Sequence, residues 1–400
     1  MNEKIQKILS STNPWWQDSS FRYPVIDRPK ILTDINPGRH HVEVLLGARR
    51  VGKTSIMESL INKLLSNKVD PRKILFITAD NPFLIDVNLS DLLASYLEQS
   101  HYSMSDQLYI FIDEIQDVAD WQLTIKYFYD NSQIKFIVSG SSSMLIDEQA
   151  RKLTGRINIH TIWTLSWDEV RLFRTDYSFD KYINYGGYPE IVLGLSDPNQ
   201  TIVQIVDSTV YRDLIGLYGI QNPKKLIDLI RIMSEKIGTA VSFRNIASQM
   251  DIDDTTAKKL IEYLISIKLL FELPLFTVST KKALRNPSKY YFLDNGIISS
   301  YSLHNVVGAL AENLVAIRLA QLYAKSGVNY GYIIENKQEI DFVYGTEKFE
   351  VKYRDDWQEI GENYFSDDNA NNFEVTMIIP TATNIQKLHI KYVGLEKFLS

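Results

Sequence analysis

The feature that most constrains the fold is an apolar run that leads directly into a glycine-framed loop. Val42–Leu46 reads VEVLL, and Gly47–Thr54, which follows it, reads GARRVGKT. The loop matches the pattern G-x-x-x-x-G-K-[ST], and a helical period follows over Ser55–Leu65. In a strand, loop and helix of this kind, backbone N–H groups surround an anion at the helix N-terminus. The stretch therefore predicts a phosphate-binding loop after a buried strand.

The side chains of this loop suit a nucleoside triphosphate with Mg²⁺. Lys53 would neutralise the β- and γ-phosphates, and the Thr54 hydroxyl would take one position on the metal. Arg49 and Arg50 would contact phosphate, a partner or a lid, and the residues alone do not choose among these. The predicted nucleotide-binding residues of the loop are Gly47, Ala48, Arg49, Arg50, Val51, Gly52, Lys53, Thr54 and Ser55.

Later apolar runs supply polar groups for the same chemistry. In LYIFIDEIQD, Asp113 would hold Mg²⁺ through water, and Glu114 would orient or deprotonate the attacking water. In IKFIVSGSSSML, Ser139 would sense the γ-phosphate or cap the next helix. Arg156, in LTGRI, would stabilise charge during phosphoryl transfer in its own subunit or a neighbour's, or would form a surface salt bridge. Lys53, Glu114 and Arg156 are thus the catalytic candidates.

Apolar runs alternate with helical periods between residues 38 and 170, which predicts a parallel sheet covered by helices. Residues 1–37 read as an irregular, proline-containing lead-in, and residues 171–222 as a small helical lid. The predicted strands are Val42–Leu46, Ile74–Thr78, Leu108–Ile112 and Ile134–Val138, and the predicted helices are Ser55–Leu65 and Leu89–Glu98.

Residues 223–295 contain three short helical periods and then two apolar runs, which is the plan of a winged helix. The helices would be Pro223–Lys236, Phe243–Met250 and Asp254–Ile267, and the strands Leu269–Thr277 and Lys289–Leu293. Cations in this segment would contact the phosphates of DNA or RNA: Lys258, Lys259, Lys281, Lys282, Arg285 and Lys289. Asp251, Asp253 and Asp254 would repel phosphate, which leaves docking to another domain or a protein partner as the alternative.

Residues 300–400 place carboxylates at a spacing that suits a second metal. If Asp341 lies on one strand and Glu350 on the next, a hairpin brings the two carboxylates together as hard ligands for Mg²⁺ or Mn²⁺. Lys352 shares a strand face with Glu350 and would position water or stabilise phosphorane charge. Glu312 lies on the apolar side of a predicted helix, Ala309–Lys325, and a shared metal would supply the partner it needs. The alternatives are a solvated structural strand pair, or a domain that binds nucleic acid or protein without cutting it.

Composition bounds these hypotheses. The 400 residues include 45% hydrophobic and 23% charged residues, which fits a folded, multidomain protein. A net charge of −6 argues against a general nucleic-acid coat protein. The chain has no cysteine, which excludes disulfides and thiolate metal sites and fits the cytoplasm. Its six histidines lack zinc-ligand spacing, and no apolar run reaches the roughly 20 residues of a membrane-spanning helix.

Five stretches together resemble the prokaryotic AAA-like ATPases over residues 20 to 295: LLGARRVGKTSIM, IFIDEIQDVADW, FIVSGSSSML, LTGRINIHTIWTLSWDE and GGYPEIV. The resemblance implies a RecA-like core, a helical lid and a winged helix, and it favours ATP over GTP. Gly187-Tyr188-Pro189 is similar to a lid step that related ATPases place near the nucleotide. Residues 300 to 400 resemble the PD-(D/E)xK nuclease superfamily, which implies metal ligation by Glu312, Asp341 and Glu350, with Lys352 as the nuclease lysine.

We therefore predict an α/β protein with a RecA/AAA-like P-loop core, a helical lid, a winged helix and a C-terminal restriction-endonuclease-like domain. Its expected function is Mg²⁺-dependent ATP hydrolysis that is coupled to a nucleic-acid-binding or nuclease-like module. The alternative is a slow nucleotide-dependent switch that binds a protein partner through an inert C-terminal scaffold. An oligomer is compatible with either function.

Overall fold

The computed structural model describes residues 3–38, 40–84, 87–140, 153–215, 223–277, 286–304, 307–323, 330–335, 338–353, 375–380, 384–387 and 390–400. The chain divides into two units, Met1–Ile162 and Trp163–Ser400. No helix among the described residues has the length and apolarity needed to cross a bilayer.

A five-stranded parallel sheet organises the first unit, in the order β2-β3-β4-β1-β5. The parallel sheet predicted from the apolar runs is confirmed. Because β4 lies between β1 and β3, the carboxyl ends of these three strands meet at one edge of the sheet. The strands are β1 (Val42–Leu46), β2 (Ile74–Thr78), β3 (Tyr109–Asp113), β4 (Lys135–Gly140) and β5 (Ile157–Thr161).

Strand β5 was not predicted, because Asn158 and His160 interrupt its apolar residues. Both side chains meet Glu43 of β1, next to which β5 lies in parallel. The Asn158 amide donates to Glu43 Oε2 over 2.9 Å, and His160 Nε2 contacts the same oxygen. This buried polar cluster stabilises an edge strand whose sequence does not read as a buried run.

The helices of the first unit are α1 (Glu3–Thr12), α2 (Pro29–Asp34), α3 (Lys53–Ser66), α4 (Leu89–Ser100) and α5 (Trp121–Asn131). The two helices predicted from periodicity correspond to α3 and α4. The lead-in was predicted to be irregular, but it contains α1 and α2. Leu9 of α1 is fully buried in the core of the sheet.

The segment after α1 covers the free edge of β2. The Asn13 side chain donates to Phe76 O over 2.9 Å and accepts from Phe76 N over 2.6 Å, as a neighbouring strand would. The indole N–H groups of Trp15 and Trp16 both donate to Ile74 O, over 3.2 and 2.9 Å. Side chains thereby satisfy backbone groups that an edge strand otherwise leaves open.

The second unit begins with helices α6 (Trp167–Phe173), α7 (Phe179–Tyr185), α8 (Pro189–Val192) and α9 (Pro198–Ser208), followed by a π-helical segment, Thr209–Ile215. The predicted order of three helices and a hairpin follows, as α10 (Pro223–Ser234), α11 (Phe243–Met250), α12 (Asp254–Ser266), β6 (Leu270–Leu273) and β7 (Lys289–Phe292). Strands β6 and β7 pair antiparallel. The winged-helix assignment itself stays a prediction, and the wing cations Lys281, Lys282 and Arg285 lie outside the described residues.

A six-stranded mixed sheet forms the rest of the second unit, in the order β12-β13-β11-β10-β9-β8. Strands β9 and β10 form the predicted antiparallel hairpin. The elements are α13 (Asn295–Tyr301), α14 (Val307–Tyr323), β8 (Tyr330–Glu335), β9 (Gln338–Tyr344), β10 (Glu347–Val351), β11 (Val375–Ile379), β12 (Asn384–Lys387), β13 (Ile390–Gly394) and α15 (Leu395–Leu399).

Candidate functional site

The loop between β1 and α3 has the backbone that its glycines predict. Gly52 precedes α3 in the left-handed region with φ 93°, and Arg50 also has a positive φ of 60°. Gly47 is needed for a different reason: a Cβ at this position would lie 2.3 Å from the backbone oxygen of Ile162. The loop is thus compressed against the residue that follows β5, and its amides lead into the N-terminus of α3.

Lys53 lies against the loop in which we expect it to bind phosphate. Its ammonium donates to Gly47 O over 3.0 Å and to Ala48 O over 2.9 Å, and the side chain is 5% exposed. The next two residues, Thr54 and Ser55, are exposed at the start of α3. A cation held inside the loop, next to exposed hydroxyls and helix N–H groups, provides the charge and the donors that a polyphosphate requires.

Asp113 at the end of β3 connects this loop with β4. Its Oδ2 accepts from the Thr54 hydroxyl over 2.6 Å, and its Oδ1 accepts from the Ser139 hydroxyl. The same Ser139 oxygen accepts from Glu114 N over 3.1 Å. The strand order produces this meeting, because β4 delivers Ser139 between β1 and β3. The structure thus brings together Thr54, Asp113 and Ser139, although Thr54 and Ser139 are more than 80 residues apart in the sequence.

Burial raises the pKa of Asp113, and the hydrogen bonds from Ser139 and Thr54 oppose that shift. Glu58, half-buried on α3, also has a raised pKa, first from burial and then from the charge of Asp113. Carboxylates in this state gain from a nearby cation. A threonine hydroxyl, one aspartate and the phosphates of a nucleotide are the hard oxygen ligands that Mg²⁺ takes in such sites, so the residues present fit the metal and the nucleotide.

Glu114 follows Asp113 in a left-handed backbone conformation, with φ 53° and ψ 48°. Its Oε2 accepts from the Gln116 amide over 2.6 Å. A non-glycine residue in this region is uncommon, and such residues concentrate at functional sites. The conformation turns the chain directly after Asp113, next to the position where we expect the attacking water.

Arg156 lies away from this edge. It precedes β5, and its backbone oxygen accepts from Val42 N at the start of β1, whereas the phosphate loop follows the end of β1. Its guanidinium donates to Asp130 over 2.8 and 3.3 Å. The salt-bridge alternative therefore describes its contacts here. A role at its own phosphate loop does not fit this position, and a role at a neighbour's site stays a proposal.

Sequence reasoning missed Arg28 in the lead-in. This arginine is 4% exposed and donates from Nη1 to Val51 O over 3.2 Å, so it contacts the phosphate loop directly. Arg28 ends the segment of residues 17–28, here called the strap. The strap is attached to α3, because Tyr23 N donates to the Asn62 side chain over 2.9 Å. No local pattern identifies Arg28, since its partner lies more than 20 residues away in the chain.

The C-terminal hairpin brings Asp341 and Glu350 together as predicted. Asp341 N donates to Glu350 Oε2 over 3.1 Å, and Val351 N donates to Asp341 Oδ2 over 2.9 Å. Lys352 donates to Glu350 Oε1 over 2.5 Å. Burial, with a contribution from the charge of Asp341, raises the pKa of Glu350 to about 8.

The expected role of Lys289 as an exposed phosphate contact is wrong. Its side chain is fully buried, and its ammonium lies 3.5 Å from Glu312 Oε1, 2.7 Å from Glu339 Oε1 and 3.3 Å from Asp341 Oδ1. The partner of Glu312 is therefore a lysine, whereas the sequence predicts a metal. Burial and the charge of Asp341 raise the pKa of Glu312 to about 7. Throughout the described ranges, no group of three or more His, Cys, Asp or Glu residues is arranged to hold a metal ion.

The lid step Gly187-Tyr188-Pro189 is bound by a residue that the sequence did not single out. Gly187 N donates to Asp294 Oδ2 over 2.8 Å, and Asp294 Oδ1 accepts from Gly296 N over 2.8 Å at the start of α13. Complete burial raises the pKa of Asp294 to about 6, against these hydrogen bonds. Asp294 thus fixes the loop before α8 to the end of β7 within the second unit.

The fold and the first site are consistent with an AAA-like P-loop ATPase domain, and comparison with known proteins supports this class for part of the chain. A family model described as an AAA domain matches residues 39–171, which include the loop, Asp113 and Ser139. A second model, a domain of unknown function (DUF8612), matches residues 176–305. The AAA match is consistent with ATP binding and with an ATPase in general.

Three curated relatives are similar over most of this chain, and all three are uncharacterized. The protein MJ1544 of Methanocaldococcus jannaschii is 28% identical over 332 residues, which cover 77% of this chain and 73% of the relative. A protein of Haemophilus influenzae is 24% identical over 82% of this chain and 85% of its own length. MJ1637, also of M. jannaschii, is 24% identical over 82% of this chain and 77% of its own length.

Proposed function

We propose that this chain binds ATP with Mg²⁺ at the Gly47–Ser55 loop and hydrolyses it. Lys53 and the loop amides bind the β- and γ-phosphates. Thr54 and Asp113 would hold Mg²⁺, and Glu114 would orient or deprotonate the attacking water. When bound, Mg²⁺ would supply positive charge to the phosphates. The observation that carries the proposal is the single carboxylate of Asp113, which accepts from both Thr54 and Ser139.

The test removes the loop cation. We expect Lys53→Ala to abolish ATP turnover in the purified full-length protein, because the β- and γ-phosphates lose their fixed counter-charge. Turnover is measured as released phosphate, and folding is checked by circular dichroism. Lys63→Ala is the matched control, since Lys63 is an exposed lysine on the same helix. Unchanged turnover in Lys53→Ala would refute the assignment.

We further propose that the nucleotide state is coupled to the elements of the second unit, which would bind nucleic acid or a protein partner. The exposed Lys258 on α12 supports a contact with nucleic acid, although its ammonium lies 3.7 Å from Glu262 on the same helix. The contacts of residues 270–277 and 286–292, here called the β6–β7 ribbon, support a docking role. Phe276 N donates to Tyr332 O of the edge strand β8 over 2.7 Å, and Tyr332 N donates to Pro274 O over 3.0 Å.

Metal-dependent cleavage of DNA or RNA is the second candidate for the C-terminal sheet. The adjacent carboxylates of Asp341 and Glu350, with Lys352 beside them, favour it. The lysine among Glu312, Glu339 and Asp341 favours the alternative, a nucleotide-dependent switch with an inert scaffold. A cleavage assay with Mg²⁺ or Mn²⁺ separates the two. Cutting that is lost in both Asp341→Ala and Lys352→Ala supports a nuclease, and cutting that survives both excludes this site.

A further inference from the structure

We propose that the ammonium of Lys289 is the resident cation of the cluster formed by Glu312, Glu339 and Asp341, and that it excludes a divalent metal while β7 lies against the β9–β10 hairpin. The resemblance to metal-dependent nucleases implies a metal at Glu312, Asp341 and Glu350. The residues present do not fit one in this arrangement. This inference does not depend on ATP hydrolysis at the first site.

The position of Lys289 is built from several elements. Its strand, β7, pairs with β6, while its three carboxylate neighbours come from α14 and β9. The ammonium also lies 5.4 Å from the ring centre of Tyr332 on β8, at a cation–π distance. The Tyr291 hydroxyl, two residues along β7, donates to Glu312 Oε1 over 2.8 Å. One strand thus delivers both a cation and a hydroxyl to these acids.

Three carboxylates surround the Lys289 ammonium, with oxygens at 3.5, 2.7 and 3.3 Å. A dication among the same carboxylates would lie within a few ångströms of a buried ammonium, where repulsion is poorly screened. The cluster therefore holds either the lysine or a metal.

The remaining oxygen of Asp341 and both oxygens of Glu350 are also engaged. Asp341 Oδ2 accepts from Val351 N, and the two oxygens of Glu350 accept from Lys352 and from Asp341 N. A metal would have to replace these donors as well as Lys289. Glu350 thus faces Lys352, which directly follows its strand, and Asp341 faces the lysine of β7.

The consequence is a joint between two parts of the second unit. The β6–β7 ribbon is attached to the C-terminal sheet by the ion pairs of Lys289 and by the backbone hydrogen bonds of Tyr332. The Tyr332 hydroxyl donates to Pro287 O over 2.6 Å, which adds a contact directly before β7. Metal binding at the carboxylates and docking of the ribbon would then be mutually exclusive.

The test uses Mn²⁺ as the probe, without nucleotide, on the full-length protein. Lys289→Met keeps most of the side-chain length and removes the charge. We expect this variant to melt at a lower temperature than wild type in chelator, because three carboxylates lose their counter-charge, and Mn²⁺ to restore part of the loss. Its affinity for Mn²⁺, measured by electron paramagnetic resonance of the free ion, should exceed that of wild type by at least about tenfold.

Two controls define the site. Lys289→Met combined with Asp341→Asn should lose the gain in Mn²⁺ affinity. Lys348→Met, which removes a buried lysine of β10, should not create it. A folded Lys289→Met protein that binds Mn²⁺ no better than wild type would overturn the proposal.

Wild type provides a measurement that does not rely on the variant's folding. We expect wild type and Asp341→Asn to bind Mn²⁺ equally, because the cluster already has its cation. If wild type binds Mn²⁺ more tightly than Asp341→Asn, the proposal is wrong. Neither outcome depends on ATP turnover, which Lys53→Ala tests separately.

Discussion

Asp113 and Lys289 are both buried ionisable residues, but they differ in how much opposite charge lies near them. Asp113 receives two hydroxyl hydrogen bonds, and burial still raises its pKa, so added positive charge would stabilise it. Lys289 already has three carboxylates within 3.5 Å. At the residue scale, a bound cation would stabilise the first site, whereas the carboxylates of the second site already have the Lys289 ammonium as their cation.

Arg28 is the residue outside the loop whose loss we expect to weaken nucleotide binding. Arg28→Met removes a buried, charged hydrogen bond to Val51 O, so the loop loses a support on its outer side. We expect ATP affinity to fall by roughly tenfold, as measured by calorimetry, which corresponds to one hydrogen bond from a charged donor.

Arg22→Met serves as the control for Arg28. Arg22 is an exposed arginine of the same strap and donates to the backbone oxygens of Ser19 and Phe21. This variant should bind ATP as wild type does. Equal affinity in both variants, with both proteins folded, would show that Arg28 only stabilises the strap.

At the element scale, the junction between β1 and the segment after β5 sets the shape of the phosphate loop. We expect Gly47→Ala to destabilise the protein by about 1–3 kcal/mol, because the new methyl group would overlap the Ile162 backbone oxygen. Chemical denaturation measures the change, and ATP affinity should fall with it.

The matched substitution is Gly308→Ala. Gly308 is an exposed residue of α14, and a Cβ there would meet nothing within 4 Å. Alanine is the better helix former, so this variant should be at least as stable as wild type, although the gain is smaller near the start of a helix than in its interior. If Gly47→Ala were as stable as Gly308→Ala, close packing at Ile162 would not be the reason for the glycine.

The elements also show which parts of the fold the sequence can predict. Strands β1 to β4 were predicted because they are buried on both faces and have few polar residues. β5 was missed because its polar residues find partners on β1, and α1 because it precedes a proline-containing strap. For the site, the loop pattern and Asp113 are local signals, whereas Arg28, Lys289 and Asp294 depend on partners distant in sequence, which periodicity does not report.

At the scale of the whole molecule, the proposed coupling makes a prediction about the second unit. We expect ATP with Mg²⁺ to change hydrogen–deuterium exchange in residues 286–293 and 338–344 of wild type, because these strands carry Lys289 and its carboxylates. Exchange reports the local stability of backbone hydrogen bonds.

The Lys53→Ala protein is the reference for this experiment. It should show no exchange response to ATP in either unit. If ATP protects the phosphate loop of wild type but leaves exchange in residues 163–400 unchanged, the two units respond separately. The second unit would then act as a scaffold that is not driven by the nucleotide.

The side chains along β2 have a practical consequence for dissecting this protein. The AAA match starts at residue 39, but Asn13, Trp15 and Trp16 complete the hydrogen bonds of the outermost strand. A fragment trimmed to the matched range would lose them and would present an open template to other copies of itself. Any isolated fragment of the first unit should therefore retain α1 and the residues up to Trp16. Otherwise its aggregation could be mistaken for a natural oligomer.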